Sequence, residues 1–110
     1  MLTTVIGSYP ERETMIVDAG ALALSKDIGP VHIRPDCGFG VVCDLSLKPL
    51  AMKLVSLSQE HGIVHGPCVP VGTRLLIVPN HSCLTAAMFD RYVVIEGKRV
   101  VGSWRAVRGW

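Results

Sequence analysis

Short runs of β-branched and aliphatic residues recur along the whole chain, and this pattern constrains the fold more than any other feature. Proline, glycine and charged residues interrupt the runs at regular intervals, as they do where strands turn back on one another. Many short strands with turn signals between them are typical of an antiparallel barrel or sandwich. The sequence therefore predicts a mainly β domain, with strands at residues 3–10, 13–20, 40–47, 51–58, 73–79, 91–97 and 98–104.

Two short segments have the composition of helices rather than strands. Residues 19–27 read AGALALSKD, and residues 82–89 read SCLTAAMF, with Ser82 as a candidate N-cap for the second helix. A chain of 110 residues has the usual size of one domain with one core. We therefore expect a single domain, residues 1–110, in which one or two short helices accompany the sheet.

The apolar content of the chain indicates a surface that a partner covers. Apolar residues make up 49% of the sequence and charged residues 18%, and the mean hydropathy is +0.41. A domain this small is expected to have more apolar surface than it can bury alone, and an exposed apolar patch usually marks a docking face. The composition therefore predicts that the chain is part of a larger assembly.

Charge and hydropathy argue against two classes of partner. The net charge is +2 without a basic stripe, so no nucleic-acid partner is expected. No apolar stretch approaches the roughly 18 residues that cross a bilayer, and the N-terminus lacks the basic and apolar segments of an export signal. The four cysteines show no CxxC spacing. We therefore expect a cytoplasmic protein with reduced thiols and no membrane partner, in which Cys37, Cys43 and Cys68 lie in or near the core.

The stretch LLIVPNHSCLTAAM, residues 75–88, places a histidine and a cysteine two positions apart directly after a predicted strand. In an extended or turn backbone, residues i and i+2 project to the same side, so one cation could contact His81 and Cys83 together. An imidazole and a thiolate suit Zn²⁺ better than Mg²⁺ or Ca²⁺. Two ligands fall short of the four in a closed zinc site, so such a site would be open or completed elsewhere. The pattern alone also fits a turn with a buried thiol.

A second candidate cluster is SQEHG, residues 58–62, at the end of a predicted strand. Glu60 beside His61 could form a carboxylate–histidine pair, which orients a catalytic base or supports a metal ligand. The pattern alone favours a polar turn closed by Gly62. The sequence contains no GxGxxG, P-loop or GxSxG motif, so it predicts no complete catalytic apparatus.

Six segments carry a more specific signal: TTVIGSYPER, VDAGALALSKD, LSQEHG, VGTRLLIVPNHSC, TAAM and VVGSWRAVRGW. In this order and spacing they resemble the C-terminal domain of the D-serine dehydratase and D-threonine aldolase family. The resemblance extends from about Thr3 to Trp110, and its most specific parts are DAG, QEHG, PNHSC and RGW. It implies the β-rich C-terminal domain of an alanine-racemase-type enzyme that depends on pyridoxal phosphate (PLP).

The resemblance also implies a chemistry. Family members have an N-terminal eight-stranded α/β barrel that carries PLP on a lysine, the C-terminal domain caps it, and two subunits commonly pair to complete the active sites. In the dehydratase branch an HxC pair binds zinc, which corresponds here to His81 and Cys83. The aldolase branch tends to have aspartate at the position of Cys83 and a harder ion such as Mn²⁺, so the thiolate favours the dehydratase. The implied reaction converts D-serine to pyruvate and ammonia, with zinc binding the hydroxyl group that leaves. The resemblance assigns no role to Glu60 and His61, which stay candidates for hydrogen bonding to the metal ligands.

The PLP barrel is missing from these 110 residues, so we expect the chain to be inactive alone. It would be either part of a longer enzyme or a separately encoded half that needs a barrel partner or a homologous subunit, with a homo-oligomer as the expected assembly. Two other functions stay open. One is retro-aldol cleavage of a D-β-hydroxy amino acid, and the other is a stand-alone metal-binding or interaction module without catalysis.

Overall fold

The strands in which apolar and polar residues alternate close into a barrel. The computed structural model describes residues 1–29, 31–33 and 36–107. Within these residues, six antiparallel strands form the closed barrel in the order β1-β2-β5-β4-β3-β6. They are β1 (Leu2–Tyr9), β2 (Thr14–Val17), β3 (Gly40–Cys43), β4 (Pro49–Leu57), β5 (Gly62–His65) and β6 (Arg74–Pro79).

Alternate side chains of the strands fill the barrel interior. On β2, Met15 and Val17 are buried, and on β5, Val64 is buried between the exposed Ile63 and His65. This is the period of two that a half-buried strand requires. Full burial of each large apolar side chain favours folding by about 1.5–3 kcal/mol. The core comprises Val5, Met15, Val17, Ala19, Leu24, Val42, Leu54, Leu57, Val64, Leu75 and Ile77.

A hairpin and two short helices complete the described fold. The strands β7 (Arg91–Glu96) and β8 (Arg99–Arg105) form a separate antiparallel pair. The helices are α1 (Ala21–Leu24) and α2 (Ser82–Ala87), and α2 connects the barrel to the hairpin. The hydroxyl group of Tyr92 in β7 donates to the carbonyl of Ala86 in α2 at 2.7 Å. None of the described helices has the length and apolar character needed to cross a membrane.

The hairpin leaves apolar side chains uncovered on both of its faces. Tyr92 and Trp104 are cross-strand partners on one face, and the next pair, Val93 and Ser103, points to the opposite face. Trp104 is 68% exposed and Val93 is 61% exposed. A two-stranded hairpin is marginally stable by itself in water, so these faces have the properties of a surface that a partner covers. The other exposed apolar residues of the hairpin are Ile95, Val100 and Val101.

The predicted antiparallel barrel is confirmed, and each predicted strand is present with shorter or shifted ends. β5 was not predicted, because it has only four residues and begins at Gly62, which the sequence pattern assigned to a turn. The closing RGW motif, residues 108–110, lies outside the described residues.

Both helices are shorter than predicted. α1 covers Ala21–Leu24 rather than residues 19–27, because Ser25 has φ +65°, which an α-helix does not allow. α2 covers Ser82–Ala87 rather than residues 82–89. Its N-cap is His81, with extended φ and ψ of −129° and 93°, so the prediction of Ser82 as N-cap was wrong by one residue.

Gly20 allows the start of α1 to approach the turn before β5 closely. A Cβ atom at Gly20 would lie 2.5 Å from the backbone nitrogen of His61 and 2.6 Å from the carbonyl oxygen of Gln59. Because the two backbones lie this close, the amide of Leu22 donates to the carbonyl of Gln59 at 3.1 Å. The amide of Ala21 donates to the carbonyl of Ser58 at 2.9 Å. The first amides of a helix have no partner within it, so the turn satisfies them. The DAG and QEHG motifs therefore form the two sides of one structural contact.

We predict that Gly20→Ala destabilises the chain, because the added methyl group would meet backbone atoms rather than flexible side chains. Overpacking of this kind costs roughly 1–3 kcal/mol. Urea denaturation, which measures the free energy of unfolding, checks the prediction. Gly102→Ala is the matched control, since nothing lies within 4 Å of a Cβ atom at that position. Equal stability of the Gly20→Ala variant and the parent would contradict the close contact.

Candidate metal centre

β6 ends at Pro79, and the next residue fixes the direction in which the chain leaves the barrel. Pro79 is the register partner of Gly40 in β3, but it has no amide hydrogen to donate to a continued sheet. The side-chain amide of Asn80 donates to the carbonyl of Gly38 at 2.8 Å and to that of Asp27 at 3.4 Å. These two bonds tie the end of β6 to the loop after α1 and to the loop before β3.

The ring of His81 is held by a carboxylate that is distant in sequence. Nδ1 of His81 lies 2.7 Å from Oδ2 of Asp27, which is 54 residues away in the chain. The other carboxylate oxygen accepts a hydrogen bond from the amide of Gly29 at 2.6 Å. Because Nδ1 of His81 is engaged, Nε2 is the ring nitrogen that a metal can bind.

The electrostatics of this pair favour an ionised carboxylate. The side chains of His81 and Asp27 are 42% and 35% exposed, so both are partly shielded from solvent. The hydrogen bond from His81, and then the one from the amide of Gly29, hold the pKa of Asp27 below its usual value. The carboxylate is therefore charged at neutral pH and accepts from the imidazole.

Cys83 is accessible to solvent. Of the four free thiols in the described part of the chain, it is the exposed one. It lies in the first turn of α2 and lines an open groove of about 480 Å³, whose other wall includes Tyr92 and Trp104 of the hairpin. The alternative of a turn with a buried thiol is therefore wrong. His81 has extended backbone angles and Cys83 is already helical, so the two residues do not lie in one extended segment.

Of the other three thiols, Cys43 and Cys68 lie in or near the core, as the sequence predicted, whereas Cys37 lines an open groove outside the core. Cys43 is 2% exposed, and Cys68 packs against the core. Cys37 is partly buried, with its sulfur 3.7 Å from the carbonyl oxygen of Ile28. Cys43 and Cys68 therefore behave as small apolar side chains.

The centre offers two donor atoms. Within residues 1–29, 31–33 and 36–107, no three side chains of histidine, cysteine, aspartate or glutamate converge to hold a metal. His81 can supply Nε2 and Cys83 can supply Sγ, whereas a closed zinc site uses four donors. A metal at this centre would therefore take its remaining ligands from solvent, substrate or another domain.

Glu60 and His61 lie elsewhere, on the exposed turn before β5. With Asp18 they line an open groove of about 360 Å³ beside α1. The carboxylate that is hydrogen-bonded to His81 is that of Asp27, not that of Glu60. A role for Glu60 and His61 beside a metal stays a prediction, while the backbone of their turn has the structural role of satisfying α1.

Sequence reasoning did not identify Asp27 as part of this centre. Asp27 is the last residue of the motif VDAGALALSKD, so the motif included it, but nothing local indicates that its side chain faces His81. The contact depends on barrel closure, which places β6 between β1 and β3. Only the tertiary fold brings the two side chains together.

Comparison with known proteins identifies relatives of this chain. The family model described as "Putative serine dehydratase domain" matches residues 1–95. D-threo-3-hydroxyaspartate dehydratase of Delftia sp. (strain HT23) is 37% identical over 121 residues, a match that covers 100% of this chain and 32% of that enzyme. D-serine dehydratase of Dictyostelium discoideum is 38% identical over 120 residues, covering 100% of this chain and 30% of that enzyme. The chain thus spans about a third of the length of these two relatives.

A shorter relative also matches. A protein of uncharacterised function from Mycobacterium bovis is 32% identical over 102 residues, and the match covers 86% of this chain and 69% of that protein. Most of the length of that relative therefore consists of a domain similar to this chain.

Solved structures agree with the fold described above. D-threo-3-hydroxyaspartate dehydratase from Delftia sp. HT23 superimposes with a TM-score of 0.86 and 38% identity, covering 99% of this chain and 32% of that one. Solved structures of D-threo-3-hydroxyaspartate dehydratase also include a histidine-to-alanine variant and a cysteine-to-alanine variant in the metal-free form. D-threonine aldolase from Filomicrobium marinum superimposes with a TM-score of 0.71 and 25% identity, covering 94% of this chain and 26% of that one. Since the motifs, the barrel and these matches agree, the chain belongs to the serine dehydratase domain family.

Proposed function

We propose that this chain is the C-terminal, zinc-binding domain of a PLP-dependent D-amino-acid lyase, which eliminates water from D-serine to give an enamine that water then hydrolyses to pyruvate and ammonia. The observation that carries the proposal is the 2.7 Å hydrogen bond between His81 and Asp27. His81 lies two residues before Cys83, whose thiol is exposed. This arrangement leaves one nitrogen donor and one sulfur donor close together in the chain and accessible to a cation.

The Delftia dehydratase supports the choice of these two ligands. The histidine and the cysteine that are replaced in its two variants lie two positions apart, and the cysteine variant is described as metal-free. His81 and Cys83 have the same spacing. We infer that they correspond to that pair and bind the metal of this family.

The donor chemistry fits zinc. Thiolate and imidazole are ligands that zinc accepts, whereas Mg²⁺ and Ca²⁺ prefer oxygen. When bound, zinc supplies a Lewis acid for the hydroxyl group that leaves the substrate. In this chain, His81 would bind through Nε2 and Cys83 through Sγ. Asn80, which directly precedes His81, fixes the end of β6 by its hydrogen bond to the carbonyl of Gly38. Two protein donors leave coordination positions for substrate and water.

The partner that we propose for the hairpin is the PLP-binding barrel domain, on the same polypeptide or on another subunit of a homo-oligomer. Both faces of the hairpin expose apolar side chains, including Val93 and Trp104. Trp104 and Tyr92 also form the wall of the groove that Cys83 lines, so a domain that covers the hairpin would shield the metal centre from water. PLP on that domain supplies the electron sink for elimination. The isolated chain is therefore expected to be inactive.

The retro-aldol alternative has weaker support. The aldolase structure is 25% identical with a TM-score of 0.71, against 38% and 0.86 for the dehydratase. The soft thiolate of Cys83 also suits zinc better than the harder ion expected of an aldolase. Elimination from a D-β-hydroxy amino acid is therefore the preferred reaction class.

A metal-binding module without catalysis is the second candidate, and one observation favours it. The match to this domain makes up 69% of the Mycobacterium bovis relative, so the rest of that protein is too short for a PLP barrel. In such a protein the centre formed by His81 and Cys83 would bind a metal without a lyase reaction.

We predict that His81→Ala and Cys83→Ala each abolish stoichiometric zinc uptake by the isolated chain, because each removes one of two protein donors. Equilibrium dialysis at matched free zinc, followed by elemental analysis, measures the uptake. Zinc should also slow alkylation of Cys83 in the parent but not in the His81→Ala variant. His65→Ala is the control, since His65 is an exposed histidine on β5. Equal zinc contents in the parent and both ligand variants would overturn the two-ligand hypothesis.

We predict that mixing the chain with a PLP-binding barrel domain from a dehydratase of this family restores elimination from D-serine, because the barrel supplies the cofactor. Pyruvate formation, followed with a coupled dehydrogenase, measures the reaction. Formation of glycine and an aldehyde from D-threonine would favour the aldolase instead. If neither reaction appears with any barrel that binds the chain, the non-catalytic module is the better assignment.

We predict that the isolated chain binds an apolar fluorescent dye and elutes at a mass above 11.9 kDa, because the hairpin is uncovered. Trp104→Ser should reduce the dye signal more than Ile6→Ser does. Ile6 is an exposed apolar residue of the barrel, at 45% exposure against 68% for Trp104. A monomer that is silent to the dye would contradict the docking surface.

A further inference from the structure

We propose that Asp27 is the positioning residue of the metal centre, which holds His81 in the tautomer that carries its proton on Nδ1 and so presents Nε2 to zinc. This inference rests on the proposed function and assigns a role to a residue outside the predicted ligand set. It follows from the hydrogen-bonding capacity of the two side chains.

The contact determines which ring nitrogen carries the proton. Oδ2 of Asp27 lies 2.7 Å from Nδ1 of His81, and a carboxylate oxygen can only accept a hydrogen bond. Nδ1 must therefore donate. A neutral imidazole has a single N–H, so Nε2 is left with a free lone pair, which is the form that binds a metal.

Asp27 is itself fixed by its surroundings. Its Oδ1 accepts from the amide of Gly29 at 2.6 Å, and its own amide donates to the hydroxyl oxygen of Ser25 at 3.2 Å. Its carbonyl oxygen accepts from the side-chain amide of Asn80 at 3.4 Å. The two carboxylate oxygens therefore have separate partners, and the side chain cannot turn away from His81 without losing the bond to Gly29.

This arrangement matters because the chain supplies only two donors. A ring that is already oriented loses less conformational freedom when a metal binds, so its support contributes directly to affinity. Replacing a carboxylate that is hydrogen-bonded to a metal-binding histidine typically lowers metal affinity by about 10–100-fold. Asp27 makes the same kind of hydrogen bond to His81, so we expect it to affect the zinc affinity by a similar factor.

The test is Asp27→Asn, which preserves size but changes one acceptor into a donor. The amide of Gly29 requires an acceptor, so the new side-chain oxygen should occupy the Oδ1 position and its NH₂ group should face Nδ1 of His81. That group donates, so it favours the tautomer with the proton on Nε2. Zinc affinity of the isolated chain should then fall by about 10–100-fold.

Asp44→Asn is the matched control. Asp44 also accepts from backbone amides within a turn, from Ser46 at 2.8 Å and from Lys48 at 3.0 Å, and its described hydrogen bonds include no histidine. The control variant should bind zinc like the parent. A purely structural effect of losing a turn carboxylate would lower zinc affinity in both variants, which would overturn the inference.

A second readout needs no metal. Imidazole ¹⁵N chemical shifts of the metal-free chain, recorded where the ring is neutral, show which nitrogen carries the proton. The inference requires Nδ1–H in the parent and Nε2–H in Asp27→Asn, and a parent with Nε2–H would overturn it without any variant. If the parent and Asp27→Asn bind zinc equally, the positioning role fails while the proposed function stands. If the tautomer switches as expected but the parent binds no zinc, the proposed function fails and the hydrogen-bond geometry stands.

Discussion

The close approach of Gly20 to the turn before β5 holds α1 against the barrel, and the loop that follows α1 carries Asp27 of the candidate metal centre. Because no Cβ atom intervenes, the start of α1 lies directly against that turn, and its first amides bond to the carbonyls there. α1 ends at Leu24, and the loop that follows it carries Asp27 to the end of β6. His81 meets Asp27 at that point. The close contact at Gly20 therefore anchors the start of α1, and the loop after this helix carries the carboxylate that is hydrogen-bonded to His81.

The fold was largely predictable because its main signal is local. In β2, and in β6 up to Ile77, every second residue is apolar and buried, and such alternation can be detected without tertiary contacts. β5 was missed for a tertiary reason. Its first residue, Gly62, is buried, and a Cβ atom there would lie 2.8 Å from the carbonyl oxygen of Ala19. A glycine required by close packing inside a strand looks, in the sequence, like a glycine that closes a turn.

The candidate site was predictable in its chemistry but not in its arrangement. A histidine and a cysteine two residues apart indicate a soft metal whatever their backbone conformation, so the sequence predicts His81 and Cys83 as candidate ligands. The helical position of Cys83 and the pairing of His81 with Asp27 depend on tertiary structure. Glu60 and His61 show the opposite case, because two adjacent residues with suitable chemistry lie on a turn whose described hydrogen bonds support α1. Spacing identifies possible ligands, whereas the carboxylate that is hydrogen-bonded to His81 comes from another part of the chain.

The unpaired edges of the hairpin affect how the chain behaves before another domain covers them. Within the described residues, β7 and β8 pair only with each other, so each strand presents one edge of unpaired amide and carbonyl groups. Such edges are templates on which a foreign strand can add, and charged side chains beside them oppose that growth. Arg91, Arg99 and Arg105 supply those charges here. In the unassembled chain we therefore expect these guanidinium groups to oppose the addition of a foreign strand to the hairpin edges.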